Sequence, residues 1–490
     1  MVRCSTLTTR TMSVGLVVLA LAIVSSGCYA LSAQKTIVLK PGWDIQAIVA
    51  QSPEGTRFTF EPGIYRLQTI YPKSRQEFIG QNGVILNGAM ELTNWEKRDR
   101  FWRTKKLPPP LPSDDDTCAR GRVLCHLRED LFFNGELYQR VGSLDDLGPR
   151  TWYYENRRAY LAEDPTGQSI ELGIKPLAIG GDADNVLIKN LVIEKYATLA
   201  QEGAIDTSGG RDWVLSDVTA RWNHGVGLFF GSGTLVDGGS FSHNGQLGMA
   251  GTGNAATVDG AEIAFNNYAG YSAKWEAGGT KFHRSRGLVV RGTCVHHNDG
   301  PGLWTDIDNI DVIYEGNKVF SNTGEGIKHE ISYTAVIRDN VVAQNGEAQD
   351  VWLWGSQILI QNSRNVEVYR NMVEVSEAFG NGISVIHQDR GIGAHGLRDA
   401  IKNRIFDNVI IHLGQQGQNG IVRDTNDTWF WKRADNQFDW NTYITTDTNG
   451  EYWAVEDQDG GWNDFRKRGY EQNGELIVER HMPMQLSCGG

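Results

Sequence analysis

Six asparagines recur at nearly even intervals through the middle of the chain, each close to a glycine: Asn223, Asn244, Asn266, Asn298, Asn322 and Asn345. The spacings are 21, 22, 32, 24 and 23 residues. A unit that short is one supersecondary turn, and it can bury its apolar side only by stacking on the next unit. Between corners lie paired apolar segments: Thr234-Leu235-Val236 with Phe241, Val289-Val290 with Val295, Val312-Ile313 with Val319-Phe320, Val336-Ile337 with Val341-Val342. One coil therefore offers about three short strands. Helical repeats of about 33–47 residues are too long, and the Leu-x-x-Leu-x-Leu pattern of leucine-rich repeats is missing. The spacing predicts an all-β chain built as a parallel β-helix. Stacked side-chain amides bond up such an axis and tolerate left-handed backbone, so the asparagine row is read as structural.

A second repetition lies inside the first. Gly302-Leu303-Trp304-Thr305-Asp306 is followed 24 residues on by Gly326-Ile327-Lys328-His329-Glu330, each phrase ending in a carboxylate. An earlier phrase, Gly270-Tyr271-Ser272-Ala273-Lys274, ends in a lysine. Side chains alternate faces along a strand, so if Leu303 and Ile327 point inward, the last position of each phrase points outward. Lys274, Asp306 and Glu330 are thus expected in one solvent-facing row, with coils roughly 4.8 Å apart. Trp304 shares that outward face, whereas His329 falls at an inward position next to Glu330.

The flanks divide the chain. Residues 1–33 read as an export signal, with Arg3 and Arg10 ahead of the apolar run Val14–Val24. Ser25-Ser26-Gly27-Cys28 resembles a lipobox, and lipidation at Cys28 or release of a soluble chain both stay open. The expected destination is the cell exterior: secreted, periplasmic or lipid-anchored at the surface. Residues 34–95 read as an N-terminal cap and first coils, 96–177 as an inserted β subdomain, 178–425 as the main repeats and 426–490 as a Trp-rich tail. Three insertions, Trp275–Arg286, Glu347–Gln357 and Asp389–Asp399, are expected on one face, where repeats add function. They bring Trp275, Glu276, Lys281, Trp354 and Asp389 toward the row, with His387 just ahead of the third; Asp308 is a further candidate beside Asp306.

The net charge of −12 argues against nucleic acid as a partner and leaves the membrane to a lipid anchor alone. Cys118 and Cys125 are close enough in sequence to pair in an exported chain, and Cys294 reads as a buried apolar residue. No cysteine or histidine spacing suggests a metal site; no cofactor is expected, with calcium left open.

The repeat and corner pattern over about Gln34–Val422 resembles the right-handed parallel β-helix superfamily that includes pectate lyases, epimerases and several glycoside hydrolases. Two features are similar to its β-xylosidase-containing hydrolase branch: the insert DLFFNGELYQRV…DPTGQSIEL, and Trp304-Thr305-Asp306 with Glu330 one coil later. Exported β-helix repeat proteins match the overall pattern equally well. The resemblance implies Asp306 as nucleophile and Glu330 as acid/base. Residue chemistry agrees that two carboxyls one coil apart suit retention, which needs about 5–5.5 Å between them. Lys274 is expected to keep Asp306 ionised, and Asp306 to raise Glu330. Trp304, with Trp275 and Trp354, offers ring faces for a polysaccharide or oligosaccharide. Three functions are carried forward: a retaining glycoside hydrolase, a lyase or epimerase of uronic-acid polymers using Lys274 and its basic neighbours, and a non-catalytic carbohydrate binder.

Overall fold

The structure, a computed structural model, describes residues 34–113, 117–348 and 352–489. The proposed leader, Cys28 and the Asp114-Asp115-Asp116 run lie outside them. Three long sheets of 13, 12 and 13 strands run side by side, pairing in parallel from one coil to the next. Each strand is short because each coil turns three times, and the inward alternate residues stack into columns. One column runs Leu215, Val236, Val258, Val290, Tyr314, Ile337 and Val368, all essentially without solvent contact. Burying each such side chain contributes about 1.5–3 kcal/mol, so the stack is held by its axis. The expected right-handed parallel β-helix is borne out.

The corner asparagines form the expected ladder. Asn223, Asn244, Asn266, Asn298 and Asn322 each donate Nδ2 to the Oδ1 of the next, at 2.8–3.1 Å, and Asn345 donates to Gln357 Oε1 at 2.8 Å. The left-handed residue is not the asparagine but the one before it: Trp222, His243, Phe265, His297, Ser321 and Gln344 have φ between 52° and 57°. The amide is thereby turned inward, where it also donates to backbone carbonyls such as Val295 O. A second ladder at another corner, Asn317, Asn340, Asn371, Asn408 and Asn441, ends on Glu471.

Helix Ile45–Gln51 closes the first end, with Asp44 accepting from Ala47 N and with Ile45 and Val49 buried on the core. The segment 426–490, expected as a tail, carries further strands of the three sheets. Coils continue through Thr442–Thr445 to Glu475–Val478, and Trp453, Trp462, Phe465 and Tyr470 seal the far end with ring-on-ring packing. Residues 89–173 form a separate eight-stranded sheet around Leu131, Trp152, Leu161 and Leu172. It docks through Asp130, which meets His224 Nδ1 at 2.9 Å and accepts from Tyr268 OH at 2.7 Å. Cys118 and Cys125 are disulfide-bonded. Cys294 is not a lone apolar residue: it is bonded to Cys488, tying the C-terminal tail to the stack across 194 residues of sequence. No helix among the described residues is long and apolar enough to cross a membrane.

Candidate active site

Five consecutive strands of the twelve-stranded sheet carry the site: β1 (Gly278–Arg286), β2 (Leu303–Thr305), β3 (Ile327–Glu330), β4 (Ser356–Gln361) and β5 (Asn381–His387). Their register stacks Phe282 on Thr305, Trp304 on Lys328, and Glu330 on Gln361. Leu303 and Ile327 therefore enter the core, as expected from alternation, and two rows face outward. One holds Lys281, Trp304 and Lys328; the other holds Asp306, Glu330 and Gln361.

The register corrects the lysine. Lys281, not Lys274, belongs to the stack, because the insertion precedes β1 instead of following it and the chain regains register only at Gly279-Thr280-Lys281. The phrase ending at Lys274 lies in a loop against the inserted subdomain, where Tyr271 bridges to Cys118, and Lys274 is an exposed side chain at the rim of the cleft. The segment 278–286, expected as insertion, is thus strand.

The row points outward yet is not on open surface. Asp306 and Glu330 are each only 6 % exposed, because loops roof the sheet and leave a cavity of about 400 Å³ between Trp275 on one side and Trp354, Gln388 and Arg390 on the other. Lys281 Nζ lies 3.0 Å from Asp306 Oδ2, and it is held there by Trp275 O at 2.8 Å and Glu276 at 3.5 Å. Glu330 has three donors: Trp304 Nε1, Lys328 Nζ and Arg390 Nη1, each at 3.1 Å.

That asymmetry reverses the expected electrostatics. Burial and the neighbouring Glu330 charge push the Asp306 carboxyl above the usual range, and Lys281 only partly offsets them. Burial also works to raise Glu330, but Lys328, Arg390 and Lys281 outweigh it and hold Glu330 below its ordinary value. Lys328, whose own ammonium burial would weaken, is held charged by Glu325, Glu330 and Asp306. Of the two, Asp306 is therefore the weaker acid, and its Oδ1 is buried without a hydrogen-bond partner among the described residues.

Trp304 offers no platform for a ring. Lys281 and Lys328 sit over it, 4.2 and 4.6 Å from its centre, one from each neighbouring coil, and the side chain is 2 % exposed. Trp275 and Trp354 are partly exposed and reach the cavity. His329 points inward, as alternation requires. Its Nε2 donates to Tyr333 O at 2.7 Å and its Nδ1 accepts from Thr305 Oγ1 at 2.7 Å; burial lowers it to about 4, so it is a satisfied core histidine, not a substrate contact. Asp308 is turned away from the cleft into a two-pronged pair with Arg398, at 3.0 and 2.8 Å, that pins the 388–399 loop. His387 stacks on Phe430 and Asp389 is exposed; both border a different hollow from the one holding Asp306. Glu276 stands behind Lys281, bonded by Gln201, outside the cavity wall.

Lys328, Glu325 and Gln361 are the functional candidates the sequence pattern passed over. Lys328 was reachable by parity, being two residues before Glu330. Gln361 was hidden by the insertion at 347–357, and Glu325, ahead of the strand, carries no periodic signal. Asp306 Oδ1, Glu325 Oε1 and Gln361 Oε1 are all buried, all without a hydrogen-bond partner among the described residues, and all belong to residues that line this one cavity. Buried acceptors left open are uncommon in folded chains. Three of them sit close around the acidic pair.

Residues 203–371 match the family model of the right-handed β-helix region. A solved structure described as the complex of XylC with xylose superimposes with a TM-score of 0.67, at 13 % identity, covering 89 % of this chain and 83 % of that one. One described as a glycoside hydrolase gives 0.44, at 9 % identity over 82 % and 99 % of the two chains. A PL6 family polysaccharide lyase from Pseudopedobacter saltans gives 0.46, at 11 % identity over 90 % and 91 %. No curated protein sequence matches the chain. The fold and the family model together show a right-handed parallel β-helix, with a roofed acidic pair on one sheet.

Proposed function

We propose that this chain is an exported, carbohydrate-active enzyme, a retaining glycoside hydrolase working through Asp306 and Glu330. The observation that carries the reading is the cavity lined by two carboxyl groups one coil apart, together with Glu325 and Gln361, whose Oε1 atoms have no hydrogen-bond partner among the described residues. Sugar hydroxyls satisfy such acceptors, and adjacent coils set the backbones roughly 4.8 Å apart, the spacing of a retaining pair. Two disulfides favour an oxidising compartment.

The charge distribution favours roles opposite to those the resemblance implies. Glu330, held ionised by Lys328 and Arg390, attacks the anomeric carbon while Asp306 gives its proton to the departing glycosidic oxygen. Asp306, then a carboxylate, takes a proton from water, whose oxygen displaces Glu330 and restores both groups. Lys281 stabilises Asp306 in its charged phase. Incubation with neutral and uronic-acid glycans tests the reading. New reducing ends with the starting anomeric configuration are expected; unsaturated ends absorbing in the ultraviolet indicate a lyase, and binding without products indicates a non-catalytic binder. Either of the latter refutes it.

A further inference from the structure

The cleft is richer in cations than a neutral sugar requires. Lys274, Lys281, Lys328 and Arg390 gather around it on a chain whose overall charge is −12. Lys281 and Lys328 are absorbed by buried acids, each having less than 12 % of its side chain exposed. Arg390 is different. It spends Nη1 on Glu330 at 3.1 Å and Gln388 at 3.4 Å, while Nε and Nη2 have no partner among the described residues and its side chain is 36 % exposed. Lys274 is exposed at the rim and has no ion-pair partner among the described residues. Arg390 shares Glu330 with Lys328, while Lys274 faces the opening without an acid of its own among the described residues.

Resting on the hydrolase reading for the identity of the site, we infer that the sugar bound next to Glu330 carries a carboxylate, so that the substrate is a uronide. A planar carboxylate matches the two remaining guanidinium nitrogens of Arg390 in a way a hydroxyl does not. Lys274 adds a second positive charge at the mouth, which draws an anionic glycan in and weakens with salt. Arg390 then serves both sides of the cleft, since one edge steadies the Glu330 carboxylate and the other reads the substrate's acid.

Two measurements on the full chain separate this inference from the reading beneath it. The first is titration calorimetry of the Glu330→Gln variant with glucuronate and galacturonate against glucose, galactose and xylose. Uronates are expected to bind about tenfold tighter or more, with the advantage shrinking between low and high salt. The second is hydrolysis by the unaltered protein of aryl uronides paired with their neutral counterparts, and the same pairs with Lys274→Gln, which is expected to raise KM for the uronide several-fold more than for its neutral partner. Equal or tighter binding of neutral sugars, or no binding of uronates, overturns the inference, whatever is hydrolysed. Uronate binding without hydrolysis of either series sustains it and removes the hydrolase reading instead.

Discussion

The assignment of the two carboxyls can be decided by how each variant responds to the leaving group. Asp306→Asn removes the proton donor and leaves Lys281 beside a neutral amide, but it keeps the three donors that hold Glu330. A positioned general acid is worth about 10²- to 10⁴-fold, or about 3–5 kcal/mol at 1.36 kcal/mol per decade. That loss should appear in full on a natural oligosaccharide, whose departing alkoxide needs a proton. A dinitrophenyl glycoside leaves without one, so its bond-breaking step should fall less than about tenfold. Glu330→Gln should abolish turnover on both, because no leaving group replaces a nucleophile. The assay is pre-steady-state release of the phenol together with steady-state kcat/KM on both substrates, with azide added to the truncated variants Asp306→Ala and Glu330→Gly. Azide should give a glycosyl azide of retained configuration with the first and inverted configuration with the second. If Glu330→Gln shows the leaving-group dependence and Asp306→Asn is inert on both substrates, the electrostatic argument is wrong and the roles are those implied by the resemblance.

Two further outcomes concern stability. Glu471 terminates the second ladder, accepting from Asn441 Nδ2 at 2.7 Å and Tyr443 OH at 2.8 Å, and burial raises it from 4.5 to about 7. Its folded pKa lies above its unfolded one, so the folded chain holds an extra proton and stability falls as pH rises from about 4.5 to about 7, by up to about 3 kcal/mol. Glu471→Gln should flatten that fall in a series of melting curves, gaining about 2 kcal/mol above neutrality once the loss of the bond that Asn441 N donates to Oε2 at 3.2 Å is counted; an unchanged pH slope refutes it. Asn322→Ala deletes a donor to Asn345 at 2.9 Å and the acceptor for Asn298 N at 3.1 Å and Nδ2 at 2.8 Å. With two or more buried groups left open, denaturant unfolding should show a loss of about 3–6 kcal/mol, and a loss under about 1 kcal/mol would mean the ladder is replaceable by water.

How far the sequence reaches can be judged residue by residue. Asn223 to Asn345 declared the coil, because a solenoid repeats its chemistry at the period of its own turn and stacks only in register. The same periodicity put Leu303 and Ile327 inside and Asp306 and Glu330 outside on neighbouring coils, since alternation along a strand is a local property of the backbone. Where an insertion breaks the period, that inference fails: Lys274 was matched to a phrase outside the sheet, and Lys281, with Gln361, could be placed only after β1 and β4 were seen in pairing.

The opposite shifts of the two carboxyls come from contacts that no spacing encodes. Arg390 reaches Glu330 from 60 residues away, on a loop pinned by Asp308 and Arg398, and Glu325 acts on Lys328 from beside the strand. The link between Cys294 and Cys488 is of the same kind. The linear chain thus determined the coil, the inward and outward faces and the adjacency of two acids, because these follow from the two-residue alternation of a strand and the recurrence of the corner asparagines. Only the folded molecule decided in which direction each acid is shifted, which tryptophan is covered and which cations stay free, because a charge responds to everything packed around it, however distant in sequence.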